Sequence, residues 1–256
     1  MKTSKIILYD EPTVPEIQLK KLGKFIVDTF PVKSETRSNF FQNSNQKMYE
    51  KIASTRVFDL KKPFEKYIPT TDEIQVEVQD KDMSNREEVA LYDGFEFQKI
   101  ISEFIPKDEN QMNTLHIIFT NKLTCTFDES DLRYHARAII GSNPIIISTS
   151  GIIEAPAKPK QYYMDLMTDF TKERVEEIKA KYKGEFLEYN DPRISEIIEG
   201  YLLQGIIYYE TGDAFCENKE CRLYNAHWQK DLLDSQLKNK KLCKKHEKNL
   251  KELNQS

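Results

Sequence analysis

Cys216 and Cys221 are separated by four residues, Cys243 and His246 by two, and a helix-length stretch lies between the pairs. Three of the chain's four cysteines and two of its four histidines fall in this one stretch. Soft ligands at such spacings constrain a fold strictly. Zinc takes four ligands tetrahedrally, commonly thiolates and imidazoles, and structural sites are assembled from two short-spaced pairs. A turn between Cys216 and Cys221 points both sulfurs inward, and the gap between Cys243 and His246 puts both on one side of a turn or helix end. Four protein ligands leave no position for water, so one structural zinc ion is expected within a segment spanning 212–250. His227 competes for the fourth place, although it lies inside the intervening helix. Four cysteines are too few for a disulfide framework in 256 residues. Cys125 stands alone in an apolar strand and reads as a small core hydrophobe.

The rest of the chain mixes strand and helix signals. "KIILY" (5–9) reads as a buried strand. Thr13 is placed to cap a helix striped by Ile17, Leu22, Phe25 and Ile26, and an extended piece follows at 31–37. "IQVEVQ" (74–79) alternates as a half-buried strand does, and a helix is expected from about 85 to 104. "TLHIIFT" (114–120), "LTCTF" (123–127), "HARAIIG" and "NPIIIST" supply further strands, and a charged helix is expected over 160–181. Asp191 and Pro192 open a helix striped by Ile194, Ile197, Ile198, Tyr201 and Leu202, which should end at Gly212 in a left-handed cap. A last helix is expected over 225–241. This order indicates an α/β or α+β fold, taken as one domain over 1–256.

Composition narrows the function classes. A net charge of −4 argues against a general nucleic-acid or membrane binder. The longest apolar region, 138–153, is broken by Gly141, Asn143 and Pro144 and cannot span a bilayer. The apolar stretch near the start is too short for a signal peptide, so a soluble cytoplasmic protein is expected.

Helix, Gly212, Cys216-x4-Cys221, helix, then Cys243 and His246 resembles the C-terminal part of the archaemetzincins over about 60 residues. "DEPTVPEIQL", "GIIEAPAKP" and "NAHWQ" likewise resemble archaeal proteins described as metallopeptidases. The resemblance implies a zincin- or metzincin-like mixed sheet with helices. In that family a helix carries H-E-x-x-H-x-x-G-x-x-H-C, the last cysteine opens a C-x4-C pair, and a C-x2-C pair completes a structural zinc site. Here the histidine positions fall on Gly205, Tyr209 and Phe215 and the glutamate position on Ile206; only Gly212 matches. No histidine lies between His135 and His227, so no shift of register restores the motif. Catalytic zinc needs three protein ligands, an open position for water and a nearby carboxylate base. The resemblance therefore implies a noncatalytic relative that keeps the structural zinc and binds a peptide or protein in the old cleft. The competing reading is an active zinc hydrolase built around His135, Glu154 and His227. Apart from that reading, His135 between Arg133 and Arg137, with Glu154, offers a pocket for a carboxylate or a peptide terminus, although a salt-bridged strand face is the favoured reading; His116 reads as a hydrogen-bonded core residue.

Overall fold

The computed structural model describes residues 1–42, 44–78, 89–168, 171–213 and 215–255. In chain order the elements are β1 (Lys5–Tyr9), α1 (Leu19–Thr29), β2 (Lys33–Arg37), α2 (Gln46–Ala53), β3 (Arg56–Val57), α3 (Thr71–Val78), β4 (Leu91–Asp93), α4 (Gly94–Phe104) and β5 (Thr114–Thr120). They continue as β6 (Leu123–Asp128), β7 (Arg133–Arg137), β8 (Ile139–Ile140), β9 (Ile145–Ser148), α5 (Thr149–Glu154), α6 (Lys160–Leu166), α7 (Lys172–Lys181), α8 (Ile194–Thr211), α9 (Gln229–Leu233) and α10 (Lys244–Gln255). A π-helical turn, Asp234–Asn239, extends α9. The class is mixed α/β, as the order of sequence signals indicates.

One sheet has the strand order β2-β1-β5-β9-β8, parallel except for the short antiparallel edge strand β8. The other is β3-β4-β6-β7. Central parallel strands are apolar on both faces because helices cover both. On β1, Ile6 and Leu8 join a cluster with Leu22 and Ile26 of α1 and Ile197, Ile198 and Leu202 of α8. Ile7 and Tyr9 face the opposite cluster, with Met48 and Ile52 of α2 and Phe97 and Ile101 of α4. Among the described residues, no helix is long and apolar enough to cross a membrane.

α8 is the element on which the fold turns. It is buried nearly all round, from Ile194 to Ile207 and again at Glu210, so it runs through the interior and is not a surface helix with one apolar stripe. It ends at Gly212, which takes φ +80° and donates its N–H to the Tyr208 carbonyl at 2.7 Å. Buried Glu210 accepts the backbone N–H groups of Lys2 at 2.7 Å and Thr3 at 3.0 Å, tying the start of β1 to the end of α8.

Several expected elements differ. Residues 74–78 belong to helix α3, and Gln79 lies outside the described residues. Thr70 and Glu73 form a reciprocal cap, with Thr70 N–H to Glu73 Oε2 at 2.7 Å and Glu73 N–H to Thr70 Oγ1 at 3.3 Å. Glu77, on the polar side of the alternation, is then buried between Arg56 at 2.5 Å and Lys122 at 3.0 Å. A capping box and a buried ion pair outweigh a five-residue alternation. Helix α4 starts at Gly94, capped by the Asp93 carboxylate, and Tyr92 sits in a strand; the expected helix residues 85–88 lie outside the described residues. Thr13 does not cap α1, which begins at Leu19; its hydroxyl goes to Glu11 at 2.7 Å. Asp191 and Pro192 precede α8, which starts at Ile194 with Arg193 as its N-cap; the Asp191 carboxylate accepts the Arg193 N–H in the turn before it. The charged region holds two helices, α6 and α7. Residues 225–228 run extended, with Trp228 bridged to Ala157, before α9 begins.

Replacing Glu210 with Ala is expected to lower unfolding stability by about 1–3 kcal/mol, since two N–H groups lose a charged acceptor. Urea unfolding of the variant against the unaltered protein checks this.

Candidate functional site

Two features meet at the C-terminal end of α8. The first is the cysteine and histidine cluster. Gly212 releases the chain into a loop in which Cys216 N–H bonds to the Leu223 carbonyl at 2.8 Å and Cys221 N–H to the Asn218 carbonyl at 2.9 Å. These bonds close the Cys216–Cys221 turn. Arg222 N–H then bonds to the Lys241 carbonyl at 2.7 Å, which brings the strand carrying Cys243 alongside. Arg222, itself buried, pairs with Glu199 of α8 at 2.9 Å, so the loop is fastened to the core helix.

The ligand atoms of Cys216, Cys221, Cys243 and His246 all lie within 4.8 Å of one another. Cys216 Sγ is 3.8 Å from Cys243 Sγ, and His246 Nδ1 is 3.6 Å from Cys221 Sγ and 3.2 Å from Cys243 Sγ. Zinc–sulfur and zinc–nitrogen bonds of ~2.3 and ~2.0–2.1 Å at tetrahedral angles require edges of roughly 3.8 and 3.6 Å. The first two distances match, and the third needs only a slight opening. His246 is 1% exposed, and its Nε2 has no hydrogen-bond partner. Burial lowers its pKa, so the ring is held neutral, the state in which Nδ1 can bind a metal. Burial pushes the Cys221 thiol up to about 12. It also acts against the Cys243 thiolate, but the backbone N–H groups of His246 and Lys245 and the thiols of Cys216 and Cys221 bring that group below its ordinary value. These four residues could hold a zinc ion, with His246 as the fourth ligand. His227 is elsewhere.

The second feature is a cleft of about 720 Å³. Its floor is the face of α8 bearing Tyr201, Gln204, Gly205 and Tyr208, and its upper wall is the chain from Ala136 to Ser142. Residues 224–227, which follow the Cys221 turn, form another wall, so the cleft and the cysteine cluster share a loop. Phe95, Tyr208 and Phe215 are exposed to 61%, 39% and 44%, giving the cleft aromatic sides. Gln204 is 3% exposed and its Oε1 has no partner. Gly205 cannot be more than glycine without displacement, because a Cβ there would lie 2.8 Å from Ile145 Cδ1 and 3.1 Å from Ile139 Cδ1.

Of the positions implied by the resemblance, Gly205 and Phe215 line the cleft. Ile206 is fully buried in the core, and the Tyr209 hydroxyl donates to the Met112 carbonyl at 2.9 Å. Residues expected around a second active site do not assemble. His135 Nε2 is 2.8 Å from Asp131, Glu154 is 3.8 Å from Lys158, and His227 alone lines the cleft. Among the described residues, no group of three metal-binding side chains includes Glu154 or His227; His135 groups with half-buried Asp128 and exposed Asp131. His116 is a core residue, its ring nitrogens 3.1 Å from the Tyr9 hydroxyl and 3.1 Å from the Glu109 carbonyl. Cys125 is fully buried, as an isolated core thiol should be. The cleft is what sequence reasoning missed in detail.

A family described as "Probable metallopeptidase family (DUF6775)" matches residues 2–253. The chain belongs to that family. No curated protein sequence is recognisably similar to it. Among solved structures, a zinc-dependent peptidase from Methanocorpusculum labreanum (strain Z) matches with a TM-score of 0.48 at 11% identity, covering 96% of this chain and 100% of that one. A likeness that distant says nothing about the chemistry of this chain. Family membership makes a metal expected, with zinc the ion that the cysteine and histidine donors fit.

Metal analysis of the purified protein should give one zinc per chain. Cys221→Ser should lose it and lower the thermal midpoint by roughly 5–10 °C, at ~2–4 °C per kcal/mol for a chain of this size. Calorimetry with and without chelator provides the comparison.

Proposed function

We propose that this member of a metallopeptidase family binds an extended peptide in its cleft without hydrolysing it, on an archaemetzincin-like scaffold held together by one structural zinc on Cys216, Cys221, Cys243 and His246. The observation that carries the reading is the cleft face of α8, where Tyr201, Gln204, Gly205 and Tyr208 supply no histidine or carboxylate. The archaemetzincin resemblance puts a metal-binding histidine at Gly205, a position packed against the side-chain ends of Ile145 and Ile139. Peptide hydrolysis by zinc needs a metal-bound water and a base to take its proton, and the cleft face of α8 offers tyrosine, glutamine and glycine instead.

Binding is supported by the backbone of β8. Ser148 N–H bonds to the Ala138 carbonyl at 2.9 Å, and Ile139 and Ile140 pair with Ile147 and Ile146. Antiparallel pairs alternate, so Ile139 falls at the position whose N–H and C=O point away from β9 toward the free edge of the sheet. That edge borders the cleft, and an extended peptide can add to it as a further strand while its side chains meet the aromatic walls. Zinc then acts on function indirectly, because residues 224–227 hold one wall.

The test is a peptide-library assay on metal-replete protein. Measurable binding with no chelator-sensitive cleavage is expected, and chelator should weaken binding as the wall loosens. Chelator-sensitive turnover would overturn the noncatalytic reading, and absence of any peptide binding would overturn the binding role.

A further inference from the structure

The geometry points to Arg137 as the residue that selects the peptide, by binding a carboxylate on it; this rests on the cleft being a peptide site. Arg137 ends β7, two residues before the free position at Ile139, and lines the cleft together with Thr126. Its Nε donates to Thr126 Oγ1 at 2.8 Å, which fixes one edge of the guanidinium. Its two terminal nitrogens have no acceptor among the described residues, and no carboxylate of those residues lies within 4.0 Å of it. In contrast, Arg37, Arg56, Arg174, Arg193 and Arg222 each face a carboxylate at 2.5–2.9 Å.

The acids around the cleft are already engaged. Asp213 pairs with Lys245 at 3.0 Å, Asp131 with His135 at 2.8 Å, and Asp128 accepts from Ser130 at 2.7 Å. A half-buried guanidinium held at one edge and open at the other presents its planar fork to an incoming anion. Carboxylate is the anion an extended peptide carries, and the match is bidentate. At ~3.3 Å per residue along a strand, that carboxylate lies about two residues from the peptide residue paired with Ile139. The exposed Phe95 and Phe215 favour apolar residues beside it. Gln204 Oε1, unpaired beneath the same cleft, is an acceptor that a peptide N–H can satisfy once the side chain turns outward. The ligand class is thus an apolar extended peptide bearing either a free C-terminal carboxylate or an Asp or Glu side chain.

Fluorescence anisotropy distinguishes these sources. Fluorescein-labelled octapeptides randomised among Ala, Val, Leu and Tyr are compared as the free acid, as the C-terminal amide, and as the amide with one Glu. On the unaltered holoprotein at low salt, at least one carboxylate form should bind roughly tenfold or more tighter than the plain amide. The winning form names the source. Arg137→Gln should bring that form down to the level of the amide, and Arg137→Lys, which keeps the charge but not the fork, should recover only part of the difference. Equal binding of all three forms to the unaltered protein would overturn the role of Arg137 while leaving the cleft a peptide site. No binding by any form would overturn the peptide reading itself, and the inference with it. The comparison on unaltered protein needs no variant to fold.

Discussion

The burial of α8 is the constraint on which the rest of the structure depends. A helix apolar on every side must be enclosed, and here the five-stranded sheet, α1, the π-helical turn and the cysteine loop enclose it. Each fixed contact then places something functional. Glu210 holds the chain start to its end, Glu199 holds Arg222 and the cysteine loop, and Gly205 lets the strands carrying Ile139 and Ile145 come close. The cleft lies over the C-terminal half of this helix, where Tyr208 is left uncovered.

This arrangement couples the cysteine cluster to the cleft. The turn closed by Cys216 and Cys221 continues directly into residues 224–227, which face the cleft, and the same turn is tied to α8 through a buried arginine. A buried ion pair contributes little net stability but holds position, because breaking it strands a charge. A metal bound by four protein ligands adds folding free energy of its own. Wall and floor of the cleft are thus held by different contacts, the hydrogen bonds and ion pair of the cysteine loop for one and apolar packing for the other.

In this member of a family described as metallopeptidases, the four donors of the C-terminal cluster lie close enough together to hold a metal. Isoleucine side chains pack close to Gly205, and the cleft has aromatic sides and a strand edge.

Local chemistry was legible in the sequence. The paired spacing of Cys216, Cys221, Cys243 and His246 pointed to their convergence, Gly212 to a left-handed stop, and "TLHIIFT" to a strand. In each case residue types at short spacings carry the signal. The tertiary structure decided what depends on distant residues. Alternation at 74–78 pointed to a strand, but the Thr70–Glu73 cap and the burial of Glu77 between Arg56 and Lys122 made a helix. His135, Glu154 and His227 were equally plausible as a site until their partners were known. Gly205 aligned with a metal-ligand position in the sequence, and only the fold shows it packed against Ile145 and Ile139 on the floor of the cleft. Nothing near Arg137 in the chain says that its guanidinium lacks a carboxylate while five other arginines have one, because ion pairing is set by which strands and loops the fold brings within 4 Å, and a sequence does not record that.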